Sequence, residues 1–355
     1  MLHVYPGQMV HHLATMVENT NLAFSSFENN TVLVAPVVWK KNEKVLTLAH
    51  KLSVPVLSPA AMLLLILRRR SDFVVFHSDH WPKFWIVASL AALVGSRLIW
   101  ISWSGEAQSS GLKGWINRAL RIWAIPRFTR SVFLSASDRV CAEKLYGRKV
   151  RSITIPYFNP SYLKPPSRSS GRALDLSILR VQIGNTGQEL NGHLACLAQL
   201  SSVRNLAFTV VYPLGYLSDV PQYIERLRTA SQQSPAVSCE FIDRLLPPGE
   251  FDALVDSCDA LLLASHRQRA LYSIYRYLAA GKPVFLPKDA ELRRDLEDLG
   301  FEVKALESLG SMTASDLSHI CRRKCEANTR AAQEYLGLEA IRTKWEKVIA
   351  EAITR

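Results

Sequence analysis

Two stretches of the chain combine residues suited to holding a phosphate. The run "VQIGNTGQELNGHL" from Val181 passes out of apolar residues into Gly184, Asn185, Thr186 and Gly187, then into a helix-like segment. Glycines let the backbone approach an anion, and a helix start offers free N–H groups and a positive dipole end. The spacing departs from G-x-G-x-x-G, so it is not a dinucleotide fingerprint. The second stretch, "ASHRQRALYSIYRYLAAGKPVF", sets His266, Arg267, Gln268 and Arg269 between an apolar run and another helix, with Ser273 on the first turn. Cations at a strand end have little use in a core. The two corners are expected to grip one diphosphate from two sides, and "YPLGY", with Tyr212, Gly215 and Tyr216, to line the same nucleotide. No Asp-x-Asp occurs anywhere in the chain. No metal and no further cofactor are therefore expected: Arg267, Arg269 and the helix start would stabilise the leaving charge.

The first half carries the groups able to take a proton. Glu106 follows Trp103 in "WISWSGE", where a carboxylate sits beside an aromatic platform suited to a sugar face. Glu106 is the favoured base, followed by Asp79 and His77 in "FHSDHWPKFW". His11 and His12 in "HVYPGQMVHH" are placed with Trp103 on the acceptor side. His319, Cys321 and Cys325 lie close together, but nothing nearby supplies a fourth ligand.

Charge narrows the partners. Of the net +12, residues 1–160 hold 19 Lys/Arg against 8 Asp/Glu, whereas residues 161–355 hold 24 against 23. The first half therefore faces something anionic. No helix-turn-helix, finger spacing or aromatic RNA-binding signature accompanies the charge, which argues against nucleic acid. In "GLKGWINRALRIWAIPRFTR" Leu112, Trp115, Ile116, Ala119, Leu120 and Trp123 fall on one helical face, among Lys113, Arg118, Arg121, Arg127 and Arg130. Tryptophan and arginine around an apolar face are the composition of a helix lying in a membrane interface. The apolar runs "AAMLLLILRRR" and Phe84–Ser96 fall short of the ~20 residues a span needs and are expected as core helices. Six scattered cysteines and no visible signal peptide point to reduced thiols in a cytosolic compartment.

Strand-like and helix-like pieces alternate in both halves, as in "DFVVFHSD" then "FWIVASLAALVGS", and "LSILRVQIG" then "LACLAQL". That pattern predicts an α/β protein of two doubly wound, Rossmann-like domains. Residues 1–160 are expected as a basic first domain, 161–173 as a Pro/Ser/Arg-rich linker and 174–335 as the second domain. An amphipathic helix at 336–355 is placed to cross back onto the first domain.

In these blocks the chain resembles the bacterial 4-acetamido-4,6-dideoxygalactose (Fuc4NAc) transferase family. The shared features are His11 and His12 at fixed distance from His3; His77, Pro82 and Trp85; Trp103 and Gly105 ahead of an acid; then "IGNTG", "YPLGY" and "SHRQ" in order. Two positions depart from the family: "RALYS" replaces a glycine-bearing run, and Glu106 stands where an aspartate is usual. The resemblance implies a GT-B glycosyltransferase that takes its acceptor, at the membrane, in the first domain, residues 1–160, and a nucleotide-sugar in the second, residues 174–335. Its acceptor would be a polyprenyl-diphosphate-linked saccharide, in bacterial surface or exopolysaccharide synthesis. It would work as a peripheral or monotopic protein on the cytoplasmic face of the inner membrane. Three other readings fit the same residues: a transferase of another donor, such as GDP-mannose in a xanthan-like pathway; a nucleotide-sugar epimerase; and a non-catalytic membrane-bound homologue.

Overall fold

The computed structural model describes residues 2–6, 10–24, 31–35, 56–68, 73–77, 82–102, 111–157, 159–164, 178–215, 221–234 and 236–353. The chain divides into two units, Met1–Asn159 with Leu338–Arg355, and Pro160–Gly337.

The first unit is built on six parallel strands: β1 (Leu2–Pro6), β2 (Thr31–Ala35), β3 (Phe73–His77), β4 (Arg97–Ser102), β5 (Arg130–Phe133) and β6 (Ser152–Thr154). Their order is β2-β1-β3-β4-β5-β6. The near-continuous apolar runs "FVVFH" and "RLIWIS" suit strands covered on both faces, and both are buried along almost their whole length. Between them run α1 (Val10–Ala23), α2 (Pro59–Arg68), α3 (Pro82–Leu93), α4 (Gly111–Ala124) and α5 (Ala136–Tyr146). The steps from β2 to β3, β4, β5 and β6 all go one way across the sheet, so right-handed crossovers set α2 to α5 on one face. The step from β1 to β2 goes the other way and sets α1 on the opposite face. Packing agrees: Met62, Trp85, Trp100 and Phe133 share one core, while Val17, Phe24 and Trp345 share another across the sheet.

The second unit has β7 (Ile178–Ile183), α6 (His193–Ser201), β8 (Ala207–Pro213), α7 (Pro221–Gln232), β9 (Val237–Ile242), α8 (Pro248–Ser257), β10 (Ala260–Leu262), α9 (Leu271–Ala279), β11 (Val284–Leu286), α10 (Glu291–Asp298) and β12 (Lys304–Ala305). Two helices, α11 (Ala314–Arg322) and α12 (Glu326–Leu336), complete it, and α13 (Leu338–Ile353) belongs to the first unit. The strand order β12-β11-β10-β7-β8-β9 is again all parallel. From β7 the chain winds outward through β8 to β9, and from β10 it winds the opposite way. The reversal point lies between β7 and β10, where doubly wound sheets hold their ligands beyond the strand ends.

The expected linker begins differently from its composition. Pro160–Leu163 forms a 3-10 turn in the second unit, with Tyr162 buried against Tyr272 and Tyr275 at 5.4 and 5.6 Å between ring centroids. An aromatic anchor overrides the Pro/Ser signal there. Residues 165–177 lie outside the described residues.

Candidate functional site

The glycine run sits at the reversal point. β7 ends at Ile183, and Gly184 adopts φ +71, the left-handed turn that carries the chain off the sheet. A Cβ there would lie 2.3 Å from the Nε2 of His193, so the position is closed to any other residue. The turn is held from below. Gln182, fully buried in β7, donates its amide to the carbonyl of Gly184 at 2.8 Å, and the Tyr277 hydroxyl of α9 donates to Gln182 Oε1 at 3.0 Å. Asn191 donates its amide to the Thr186 hydroxyl at 2.6 Å and to the carbonyl of Gln188 at 3.2 Å. Asn185 is half-buried, while Thr186 and Gly187 are buried. The loop is thus fixed before any ligand arrives. At its far end Gly192, φ +66, starts α6 with no side-chain cap.

The second corner meets the first. Ala264 N–H donates to the carbonyl of Asn191 at 3.1 Å, and Arg269 donates to Gln188 Oε1 at 2.9 Å. Arg269 therefore ties the two loops together. Arg267 is exposed, and its guanidinium makes no hydrogen bond or ion pair among the described residues. Gln268 and Ser273 are buried, Ser273 in the first turn of α9. Ala270 caps α9 at φ +56, also without a side-chain bond. Adjacent strand ends thus carry two helix starts without side-chain caps and a cation unengaged among the described residues, an arrangement of the kind that suits an anion.

Two donor expectations change. Tyr212 is fully buried, stacked on Phe241 at 5.1 Å, and burial pushes its phenol up. It is a core residue and cannot line a nucleotide. Gly215 answers a backbone crossing: a Cβ would lie 1.9 Å from the carbonyl carbon of Arg244. Tyr216 lies outside the described residues.

In the first unit, His77 ends β3 beside the corresponding reversal between β1 and β3. Its Nε2 is 3.1 Å from His3 Nδ1 and its Nδ1 is 2.9 Å from the Tyr157 hydroxyl. Burial, then the neighbouring His3, lowers its pKa well below the ordinary value. With both nitrogens engaged and 2% exposure, His77 is not a free base, contrary to the expectation for it. It lines a narrow, partly open cavity of about 20 Å³ together with Thr20, Phe24, Tyr157 and Trp345, which has room for about one water. Asp79, Trp103 and Glu106 lie outside the described residues, as do the side chains of His11 and His12, which fall in α1.

Helix α4 separates the interfacial residues. Trp115 is 69% exposed, and Trp123 is 37% exposed under Arg127, whose guanidinium sits 3.9 Å from its ring centroid. Arg118 is exposed and donates to the carbonyl of Leu145 at 3.1 Å. Arg121 was expected among the outward cations, yet it is 5% exposed and lies over Trp85 at 5.6 Å. One helical turn carries it under the helix, where the indole face accepts it.

The residues missed in the sequence are the supports: Asn191, His193, Tyr223 and Tyr277, with Gln182. Only Gln182 left a signal, an amide inside the apolar run "LRVQIG". His193 lies under the glycine turn, Nδ1 2.9 Å from Tyr223 Oη, and burial lowers its pKa to about 4.

Two Rossmann-like lobes with parallel sheets are the architecture of the GT-B glycosyltransferases. The chain belongs to the family described as 4-alpha-L-fucosyltransferase, glycosyl transferase group 56, which it matches over residues 1–331. Its fold is similar to that of HepE from Anabaena, solved in complex with UDP and glucose, at TM-score 0.70 and 13% identity over 99% of both chains. It is also similar to the lipopolysaccharide outer core galactosyltransferase WaaB, TM-score 0.61 and 11% identity over 99% of both. Sucrose-phosphate synthase from Thermosynechococcus elongatus aligns at TM-score 0.65 and 11% identity, covering 99% of this chain and 98% of that one. Among the described residues no group of three or more His, Cys, Asp or Glu is arranged to hold a metal ion.

Proposed function

We propose that the protein moves a sugar, Fuc4NAc or a close relative, from a nucleotide-sugar to a polyprenyl-diphosphate-linked saccharide in bacterial surface-polysaccharide synthesis. The observation that carries this reading is the arrangement at the ends of β7 and β10, which suits an anion: two helix starts without side-chain caps, a fixed glycine turn and Arg267, unengaged among the described residues. That HepE binds UDP and glucose on the same fold supports a nucleoside diphosphate there. As the bond from the sugar's anomeric carbon to the diphosphate oxygen breaks, that oxygen keeps the electron pair. Arg267 and the starts of α6 and α9 stabilise the charge that develops. The acceptor hydroxyl bonds to the anomeric carbon and gives its proton to a base of the first unit, for which Glu106 and then Asp79 are proposed. The basic first unit and the outward Trp115 and Trp123 suit peripheral contact, through α4, with the cytoplasmic face of an inner membrane that holds the acceptor.

A panel of nucleotide-sugars scored for nucleoside diphosphate release, with and without lipid-linked oligosaccharide, tests the reading. Release that depends on the acceptor supports it. A changed sugar without any acceptor indicates an epimerase instead, and no binding or turnover of any donor indicates a non-catalytic homologue.

A further inference from the structure

Helix α3 was expected to be a core helix, and one side of it is: Trp85 and Ala88 are fully buried. Its other side is not. Ile86, Leu90, Leu93 and Val94, spaced i, i+4, i+7 and i+8, form an exposed apolar stripe, with Leu93 62% exposed. Helix α3 packs between α2 and α4 on the same face of the sheet. Leu64 on α2 is 57% exposed, and on α4 Trp115, Ile116 and Trp123 are exposed. Three neighbouring helices thus turn large apolar side chains outward together, far more than the scattered singles of an ordinary surface.

Charge identifies what covers them. Apart from the buried Arg121, the three helices hold Arg68, Lys83, Lys113 and Arg118 and not one Asp or Glu. Arg127 joins them just beyond α4. An isologous contact between two copies would set these like charges against each other. An anionic bilayer satisfies both features, since it accepts the apolar side chains and attracts the cations around them. No described helix is long and apolar enough to cross a membrane. We propose that the outer sides of α2, α3 and α4 form one platform that lies on an anionic lipid surface, with α3 inserting beside α4. This rests on the membrane contact proposed above and extends it from one helix to three.

Vesicle flotation with the full chain tests it, using phosphatidylglycerol/phosphatidylethanolamine vesicles beside neutral phosphatidylcholine ones. The platform predicts binding to the anionic vesicles. It predicts at least about a tenfold loss for Leu90→Ser with Leu93→Ser, a similar loss for Trp115→Ser with Trp123→Ser, and no binding when the four are combined. Unfolding midpoints show whether each variant is folded. Should the α3 pair not fold, a fluorophore on Leu93→Cys in a Cys141→Ser background takes its place, and a blue shift on vesicles is expected. If the α3 pair binds as the unaltered protein does while the α4 pair does not, the platform is overturned and the one-helix contact stands. Equal binding to neutral vesicles overturns the role of charge. Absence of vesicle binding overturns both, as does dimerisation that Leu90→Ser and Leu93→Ser abolish. Flotation needs no turnover, so these outcomes are separate from those of the transfer assay.

Discussion

Arg267 is exposed beyond the end of β10 and its guanidinium has no partner among the described residues, whereas its neighbour Arg269 joins two loops. Arg267→Ala should leave the fold intact and lower kcat by about 10²–10³, the usual effect of removing one donor to a developing anion. An unchanged kcat in steady-state assays would move the leaving group elsewhere. The buried histidines predict a second effect, on stability. Burial lowers His3 to about 3, His193 to about 4 and His77 well below its ordinary value. Unfolded histidine takes its proton near ~6.5. Below that pH the unfolded chain binds more protons than the folded one, so this stability is complete above about 6.5 and is lost as pH falls toward 4. His193 should contribute roughly 1 kcal/mol per pH unit across that range, with His3 and His77 acting in the same direction. Unfolding midpoints recorded from pH 7.5 to 5 check this, and a flat profile would contradict it.

At the scale of elements, the glycine turn and the start of α9 behave oppositely. Gly184 has both a left-handed φ and no room for a Cβ. Gly184→Ala should cost at least about 2 kcal/mol, visible as a lower unfolding midpoint together with weaker nucleotide-sugar binding. Ala270, in the run "RALYS", adopts the same left-handed region although it is not glycine. Ala270→Gly should relieve about 1 kcal/mol of that strain and raise the midpoint by a few degrees. A lower midpoint would show the αL turn to be unstrained. Elements were legible where apolar period and glycine coincided, as in "RVQIG". They misled where one helix has two apolar sides: α3 reads as buried all round, because a sequence does not reveal that only one of its faces meets the sheet. Arg121 and Tyr212 failed for the related reason that a single turn or pleat decides between surface and core.

For the whole molecule, the alternation of strands and helices foretold two doubly wound sheets, because both parallel strands and their covering helices must be apolar where they meet. The winding reversal between β7 and β10, which fixes where a ligand lies, depends on strand order, and no local pattern encodes that. The supports Asn191, His193 and Tyr223 come from separate elements and meet only in the fold. The bases proposed for the first unit, Glu106 and Asp79, still rest on sequence alone. With charge stabilised by Arg267 and helix starts, activity should survive EDTA; loss on chelation with rescue by Mn²⁺ or Mg²⁺ would contradict that part of the account. The central claim is transfer onto a lipid-linked acceptor, and mass spectrometry of that acceptor tests it most directly. After incubation with a nucleotide-sugar panel, the polyprenyl-diphosphate-linked saccharide should gain the mass of one sugar with the unaltered protein, and far more slowly with Arg267→Ala. An acceptor whose mass never changes with any donor, while the protein stays folded, would contradict the account.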